Sequence, residues 1–243
     1  ARPTLVVDNG GKSGTTTTLS GNIGSGDYQS LTIAGGARAN PSVSGLIAGN
    51  LFIKSNSWLY GSSLSTTGLL TIEASGGINL DGLTTGGFGN ASGFGHGAGH
   101  GGTGGRSAEF NGVNGSVYGN PVAPNQGGSN GGVGFSASGS GGIGGGVVNI
   151  LGVAVMRVDG IISVNGTAGL GSTAGSQYTG GGGGSGGSVY IRAKSLSGTG
   201  KITANGGSGA NGGGGGGGGR IAIYCDTNTF TGTLSAFGGS GYV

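Results

Sequence analysis

Four segments of the chain repeat one pattern, and that pattern limits the possible folds more than any other feature. Each has an alternating apolar strand, a short polar link, a second alternating strand that ends in glycine, and then a glycine-rich stretch. In the first, Leu70 and Ile72 precede Gly77-Ile78-Asn79-Leu80-Asp81-Gly82. In the second, Val148 and Ile150 precede Gly160-Ile161-Ile162-Ser163-Val164-Asn165-Gly166. In the third, Val189 and Ile191 precede Gly200-Lys201-Ile202-Thr203-Ala204-Asn205-Gly206. In the fourth, Ile221 and Ile223 precede Gly232-Thr233-Leu234-Ser235-Ala236-Phe237-Gly238. Successive side chains of a strand point to opposite faces. Stacked units therefore place Ile78, Ile162, Ile202 and Leu234 in one apolar ladder, and Ile72, Ile150, Ile191 and Ile223 in a second. One such unit cannot bury its apolar face alone, whereas a stack can.

The N-terminal third carries shorter units. Ile33, Ile53 and Ile72 recur at steps of 20 and 19 residues, with second strands at Ala37 to Ala39, Trp58 to Tyr60 and Ile78 to Leu80. About twenty residues per coil suits a β-helix. The expected fold is all-β: a parallel β-helix, or β-solenoid, forming a single domain over 1–243. Glycine-rich excursions leave it on one side, the longest over 86–146. A sandwich or barrel, with hairpins every ~8–12 residues, does not explain why the strands resemble one another.

Composition narrows the alternatives. Glycine supplies 70 of 243 residues, yet with only 4 prolines and no strict triplet the chain is not collagen-like. A hydrophobic fraction of 33% and a net charge of +3 set it apart from disordered chains. Gly and Thr disfavour helix, and no apolar stretch approaches the ~20 residues of a membrane span. The sequence begins at Ala1 without an initiator Met or a leader, which reads as a processed secreted chain or an excerpt of a longer one. Basic residues are scattered, so no nucleic-acid stripe is expected. Cys225, alone and inside an apolar run, reads as a small core residue, although an intermolecular disulfide is open to it.

The glycine runs at 86–146, 167–187 and 207–219, the last with eight consecutive glycines at 212–219, admit two readings. Left mobile, they are linker-like loops. Ordered, they form extended three-residue helices of the polyglycine II type, packed side by side in a layer beside the β-helix. The second reading is the hypothesis adopted.

Motifs that suggest chemistry are weak. Asn9-Gly10-Gly11-Lys12-Ser13 has Val6 where a phosphate-binding loop needs glycine, and no helix former follows. The many GxGxxG matches are expected at this glycine content. His96 and His100 have a metal-like spacing outside any helix, with Glu109 the nearest acid. Calcium β-roll repeats need an Asp that the glycine runs lack. Carbohydrate-active chemistry on a β-helix would draw on Glu73, Asp81, Arg157, Asp159, Arg192 and Lys194, with a carboxylate pair meeting across coils. The spacing does not require such a meeting, and solvated surface charge is the simpler reading. Aromatic side chains (Trp58, Tyr60, Phe88, Phe94, Tyr118, Tyr178, Tyr190, Tyr224) are scattered, with Tyr190 and Tyr224 aligned between units. Three glycosylation sequons start at Asn90, Asn114 and Asn165. No catalytic, cofactor-binding or metal-binding residue is expected.

The segments Gly183-Gly184-Ser185-Gly186-Gly187-Ser188-Val189-Tyr190-Ile191, Gly200-Lys201-Ile202-Thr203-Ala204-Asn205-Gly206-Gly207 and Gly218-Gly219-Arg220-Ile221-Ala222-Ile223-Tyr224 carry a resemblance. They resemble the glycine-rich β-helical repeats of very large secreted surface proteins, adhesin-like or fibre-like, from bacteria and protists. The match covers about the last hundred residues and transfers no catalytic residue. In composition alone the chain is also similar to phage tail-fibre tip adhesins built from polyglycine helices. The expected role is a non-enzymatic extracellular or cell-surface structural subunit of a fibre, sheath or appendage, with its own copies as partners through end-to-end stacking. A glycan- or surface-binding adhesin is the alternative. A carbohydrate-active enzyme, or an ice-binding face using Thr15 to Thr18, ranks lower.

Overall fold

Alternating apolar residues in short segments form parallel strands that build two sheets. The computed structural model describes residues 4–12, 14–19, 29–41, 46–60, 63–66, 68–84, 87, 89–108, 112–135, 139–171 and 180–241. Ser13, Gly86, Phe88, Glu109 and Tyr178 lie outside the described residues. Among those described, the chain is all-β, without an α-helix.

The first sheet has nine strands. Its main path is β1 (Thr4–Asp8), β3 (Ser30–Ala34), β6 (Asn50–Ile53), β9 (Leu70–Ile72), β13 (Val147–Val158), β15 (Ser188–Gly198) and β17 (Arg220–Phe230). Strands β5 (Leu46–Ala48) and β8 (Ser63–Thr66) extend it alongside β13. The second sheet has seven strands: β2 (Thr17–Leu19), β4 (Arg38–Pro41), β7 (Trp58–Tyr60), β10 (Gly77–Asn79), β14 (Ile161–Ser163), β16 (Lys201–Thr203) and β18 (Thr233–Ser235). A small antiparallel pair, β11 (Ser92–Gly93) with β12 (Gly112–Val113), stands apart. Every pairing in the two large sheets is parallel, and from β3 onward the chain repeatedly leaves a first-sheet strand and enters a second-sheet strand.

Tight corners make that passage. Ala37, Ser57 and Gly76 each donate a backbone N–H to the residue three earlier, Ala34, Lys54 and Glu73. Gly36, Asn56 and Ser75 occupy the matching left-handed position, with φ of 79°, 60° and 63°. That conformation is tolerated by Gly and Asn far better than by branched residues.

The core fills the space between the sheets. In the second sheet Ala39 pairs with Leu59, Leu59 with Ile78, Ile78 with Ile162, Ile162 with Ile202, and Ile202 with Leu234. All but the last are buried; Leu234, on the outermost strand, is 50% exposed. In the first sheet Ile150 pairs with Ile191 and Ile191 with Ile223. Ile72 does not join that column. It pairs with Val158, in a column that runs through Ile33 and Ile53. The physical reason is strand length. β13 has 12 residues, and its start pairs with β8 while its end pairs with β9. The stretch expected to be a polar link after Ile150 is itself strand, so the first sheet carries two sets of columns.

The glycine-rich segments are hydrogen-bonded with a period of three. Gly180, Gly183 and Gly186 donate to Asn211, Gly214 and Gly217 at 2.9–3.3 Å. Gly181, Gly184 and Gly187 donate to Leu170, Thr167 and Val164, whereas Gly182 and Ser185 donate to Gly132 and Ser129. One segment therefore faces three neighbours in rotation, one every third residue. That is the repeat of an extended helix of the polyproline II type, which has no internal hydrogen bonds. Residues 213–219 follow the same rule, with Gly214 and Gly217 donating to Gly95 and Ala98, and Gly216 and Gly219 to Gly207 and Ala204.

This packing accounts for the composition. Residues 180–187 and 213–218 are buried throughout. A Cβ on Gly183 would fall inside the carbonyl oxygen of Gly207, and one on Gly216 inside that of Gly184. Peripheral segments read differently: in Ser140-Gly141-Gly142-Ile143-Gly144-Gly145 the Ser and Ile are exposed, while Gly142, Gly144 and Gly145 are buried. Larger side chains sit where the three-fold turn points outward, as at Ile143, and within the layer only a few, such as Ser185 and the two histidines, are fitted among the glycines.

Overpacking at such a position typically costs about 1–3 kcal/mol. Gly183→Ala should lower stability by that amount in urea denaturation, whereas Ser140→Ala should stay within about 0.5 kcal/mol of the parent. Equal midpoints for both variants would contradict a close-packed glycine layer.

Candidate assembly and binding surfaces

Where the second sheet meets the glycine layer, a polar ladder forms the joint. Asp81, Asn165 and Asn205 stand two residues past Asn79, Ser163 and Thr203, which are in register across β10, β14 and β16. Asp81 Oδ1 accepts the backbone N–H of Asn165 at 2.5 Å, Asn165 Oδ1 that of Asn205 at 2.7 Å, and Asn205 Oδ1 that of Phe237 at 2.8 Å. Hydroxyls tie in beside them: Ser163 donates to Asp81, and Ser235 to Asn205. Each side chain thus satisfies a backbone donor one rung above, at the point where sheet pairing ends. At the top the same position is Phe237, 74% exposed.

The three sequons fall in different settings. Asn165 uses its amide in the ladder, Nδ2 donating to Ser163 Oγ at 2.7 Å. Asn114 donates Nδ2 to Gly104 O at 2.6 Å. Asn90 is exposed, and its Oδ1 accepts the N–H of Asn130. Asn165 heads a sequon and is also a joint of the ladder.

The histidines lie inside the glycine layer, both fully buried. His96 Nδ1 accepts the N–H of Ser107 at 3.0 Å. His100 Nδ1 lies 2.7 Å from Gly186 O and therefore carries the proton, and its ring stacks on Tyr118 at 4.7 Å. Burial pushes the His100 pKa below the usual histidine value, and the positive charge of Arg220 adds to this, so the ring is neutral at pH 7. Its Nε2 and Gln126 Oε1 carry no hydrogen bond and lie near Gly119. No group of three or more His, Cys, Asp or Glu side chains comes together among the described residues.

The acidic residues weighed for carbohydrate chemistry serve local structure. Glu73 binds Lys54 Nζ at 2.7 Å and accepts the Ser55 N–H, and Asp159 binds Arg157 Nε and accepts the Thr199 N–H. Glu73 and Asp159 follow Ile72 and Val158, which are paired, so they occupy adjacent rungs of one corner. The hydrogen bond from Lys54 holds the Glu73 carboxyl below its ordinary pKa, and that from Arg157 does the same for Asp159. Neither is tuned as a proton donor at neutral pH, which requires a raised value. Asp81 belongs to the polar ladder.

Two surface features remain. The first is the open end beyond β17 and β18. Between these outer strands a cleft of about 490 Å³ is lined by Ile221, Ile223, Asn228, Leu234, Ser235 and Ala236. It is the interior between the sheets, reaching solvent. At the other extremity β1 pairs only with β3 and β2 only with β4 among the described residues, and Val6 is 55% exposed.

The second is a groove of about 640 Å³ across β13, β15 and β17, bounded by Gly152, Arg192, Lys194, Tyr224 and Asp226. A bulge between Leu151 and Val153 shifts the register of β13 on β15. Gly152, at φ 74°, leaves open space there. Tyr190 pairs with Ala222 and Tyr224 with Arg192, so the two tyrosines expected to align directly are diagonal neighbours, edge to face at 6.0 Å.

Comparison with protein-family models, curated proteins and solved structures finds no match to this chain. No helix among the described residues is long and apolar enough to cross a membrane.

Losing the Asn165 side chain leaves the Asn205 N–H without its acceptor and removes a partner of Ser163. A buried donor left unpaired costs about 1–3 kcal/mol. Asn165→Ala should lose that much in thermal or urea unfolding, and Asn90→Gln almost nothing. Equal stability of the two variants would remove the ladder as a structural element.

Proposed function

We propose that the chain is a β-solenoid whose remaining wall is a polyglycine II-like bundle, and that it acts as a structural subunit of an extracellular fibre, sheath or appendage. Copies stack head to tail, the outer edges of β17 and β18 on one copy meeting those of β1 and β2 on the next. The observation that carries this reading is the open cleft between β17 and β18, where Ile221, Ile223 and Leu234 meet solvent beside two parallel edges that are unpaired among the described residues. Unpaired edges are templates for further strands. Strand direction is the same at both extremities, so stacking continues the parallel ladder. Such a contact joins two different surfaces without closing, and it propagates as a filament. The solenoid reading is supported by the alternation between the sheets and by the in-register columns; the bundle reading is supported by the three-residue hydrogen-bond period. The resemblance to glycine-rich repeats of secreted surface proteins points the same way, and it supplies the extracellular setting.

A second reading, a glycan-binding adhesin, is favoured by one observation: the groove beside the Gly152 bulge combines aromatic, cationic and acidic side chains on the first sheet.

Stacking is tested by light scattering over a range of protein concentrations, with electron microscopy of the same samples. The parent chain should give particles that lengthen with concentration. Leu234→Lys, at a half-exposed position, should leave it monomeric and still cooperatively folded. A parent chain that stays monomeric at high concentration would overturn the proposal.

A further inference from the structure

The groove on the first sheet has a composition that defines a ligand class. Arg192 and Lys194 are exposed on β15, and Tyr224 and Asp226 are exposed on β17. The Arg192 guanidinium lies over the Tyr224 ring, 5.8 Å from its centre, and Tyr190 packs edge-on against the same ring. A guanidinium is attracted to the face of an aromatic ring and keeps its N–H donors for another partner. Among the described residues the ion pairs are Lys54 with Glu73 and Arg157 with Asp159, so no carboxylate is paired with Arg192 or Lys194. Lys194 stands across from Asp226, between the registered pairs Ala193 with Cys225 and Ser195 with Thr227, without closing to a salt bridge. The bulge at Gly152 provides the room, because β13 has no side chain at that point. Bulges recur where a sheet must present a site.

We propose that this groove binds a uronate-bearing polysaccharide. The inference rests on the glycan-binding reading and names its ligand. A guanidinium fork matches a carboxylate in bidentate fashion. The exposed Tyr224 side chain adds aromatic surface against which a pyranose can pack, and Asp226 accepts its hydroxyls. The acid also sets the class. A densely charged polyanion, such as a sulfated glycan or a nucleic acid, would meet the Asp226 carboxylate with only two cations in compensation. A polymer with one carboxylate per sugar and free hydroxyls suits the mixture. The open shape of the groove, running over the surface of the sheet, admits a chain segment and not just a chain end.

The test is calorimetric titration of the full chain with oligogalacturonate, with its methyl-esterified counterpart and with heparin, at low and at physiological salt. Oligogalacturonate should bind. Esterification should weaken binding about tenfold or more, the value of one charge-assisted hydrogen-bonded pair. Arg192→Gln should weaken it comparably, and Lys194→Gln less. Both variants alter exposed side chains, and unchanged melting temperatures verify that they fold. Equal binding of acid and ester with no effect of Arg192→Gln would overturn the uronate assignment and leave the glycan-binding reading standing. Tighter binding of heparin than of oligogalacturonate would also overturn it. Absence of binding to every saccharide would remove both readings.

Discussion

The structure depends on one constraint: an extended glycine segment cannot satisfy its own backbone. Every buried N–H and C=O must therefore find a partner on another segment. Residues 180–187 meet that demand by rotating through three neighbours; in 213–219, Gly214 and Gly217 donate to one neighbour, Gly216 and Gly219 to a second, and the carbonyls of Gly215 and Gly218 accept from Gly105 and Gly101. Fixing a glycine costs more entropy than fixing any other residue. The array is therefore stable only if many segments are held in place together, and an isolated run would remain a flexible linker.

The two sheets supply that organisation. The segments that lead into β13, β15 and β17 bond to one another, as Gly142 does to Gly182 and Gly183 to Gly214. The segments that leave β14, β16 and β18 do likewise, as Gly166 does to Asn205 and Gly206 to Phe237. Each excursion thus inherits its neighbours from the strand order, and the rung-to-rung register of the sheets continues into the glycine layer. The Asp81, Asn165 and Asn205 ladder lies where one kind of pairing gives way to the other. It keeps the backbone satisfied through a change of geometry that neither sheet nor glycine helix could bridge alone.

Much of this is written in the sequence at two periods. The period of two is plain wherever one strand face is buried, and so the column from Ile78 through Ile162 and Ile202 to Leu234 could be read directly. The column through Ile72 was harder. The residues between Ile150 and Val158 break the alternation at Gly152, yet they continue a strand whose length only its pairing partners reveal. The period of three is equally present, in Ser140-Gly141-Gly142-Ile143 and Asn130-Gly131-Gly132-Val133, yet it is short and interrupted, unlike collagen's strict triplet. The polar ladder had a signal too, an Asp or Asn before glycine at the end of three repeats. Asn165 also heads a sequon, and only the hydrogen bonds separate the two roles. Arg192, Lys194 and Tyr224 stand out singly in the sequence, but the open space beside them depends on a one-residue bulge in β13 that the sequence does not announce.

The central claim is that glycine-rich segments are as firmly structured as the strands beside them. Native-state amide hydrogen exchange, resolved by residue, tests it most directly. The glycine N–H groups of 180–187 and 213–219 should exchange as slowly as those of β13 and β15, through the same cooperative opening. Fast exchange of the glycine segments over protected strands would mean a pair of sheets carrying loose loops, and the account would be wrong.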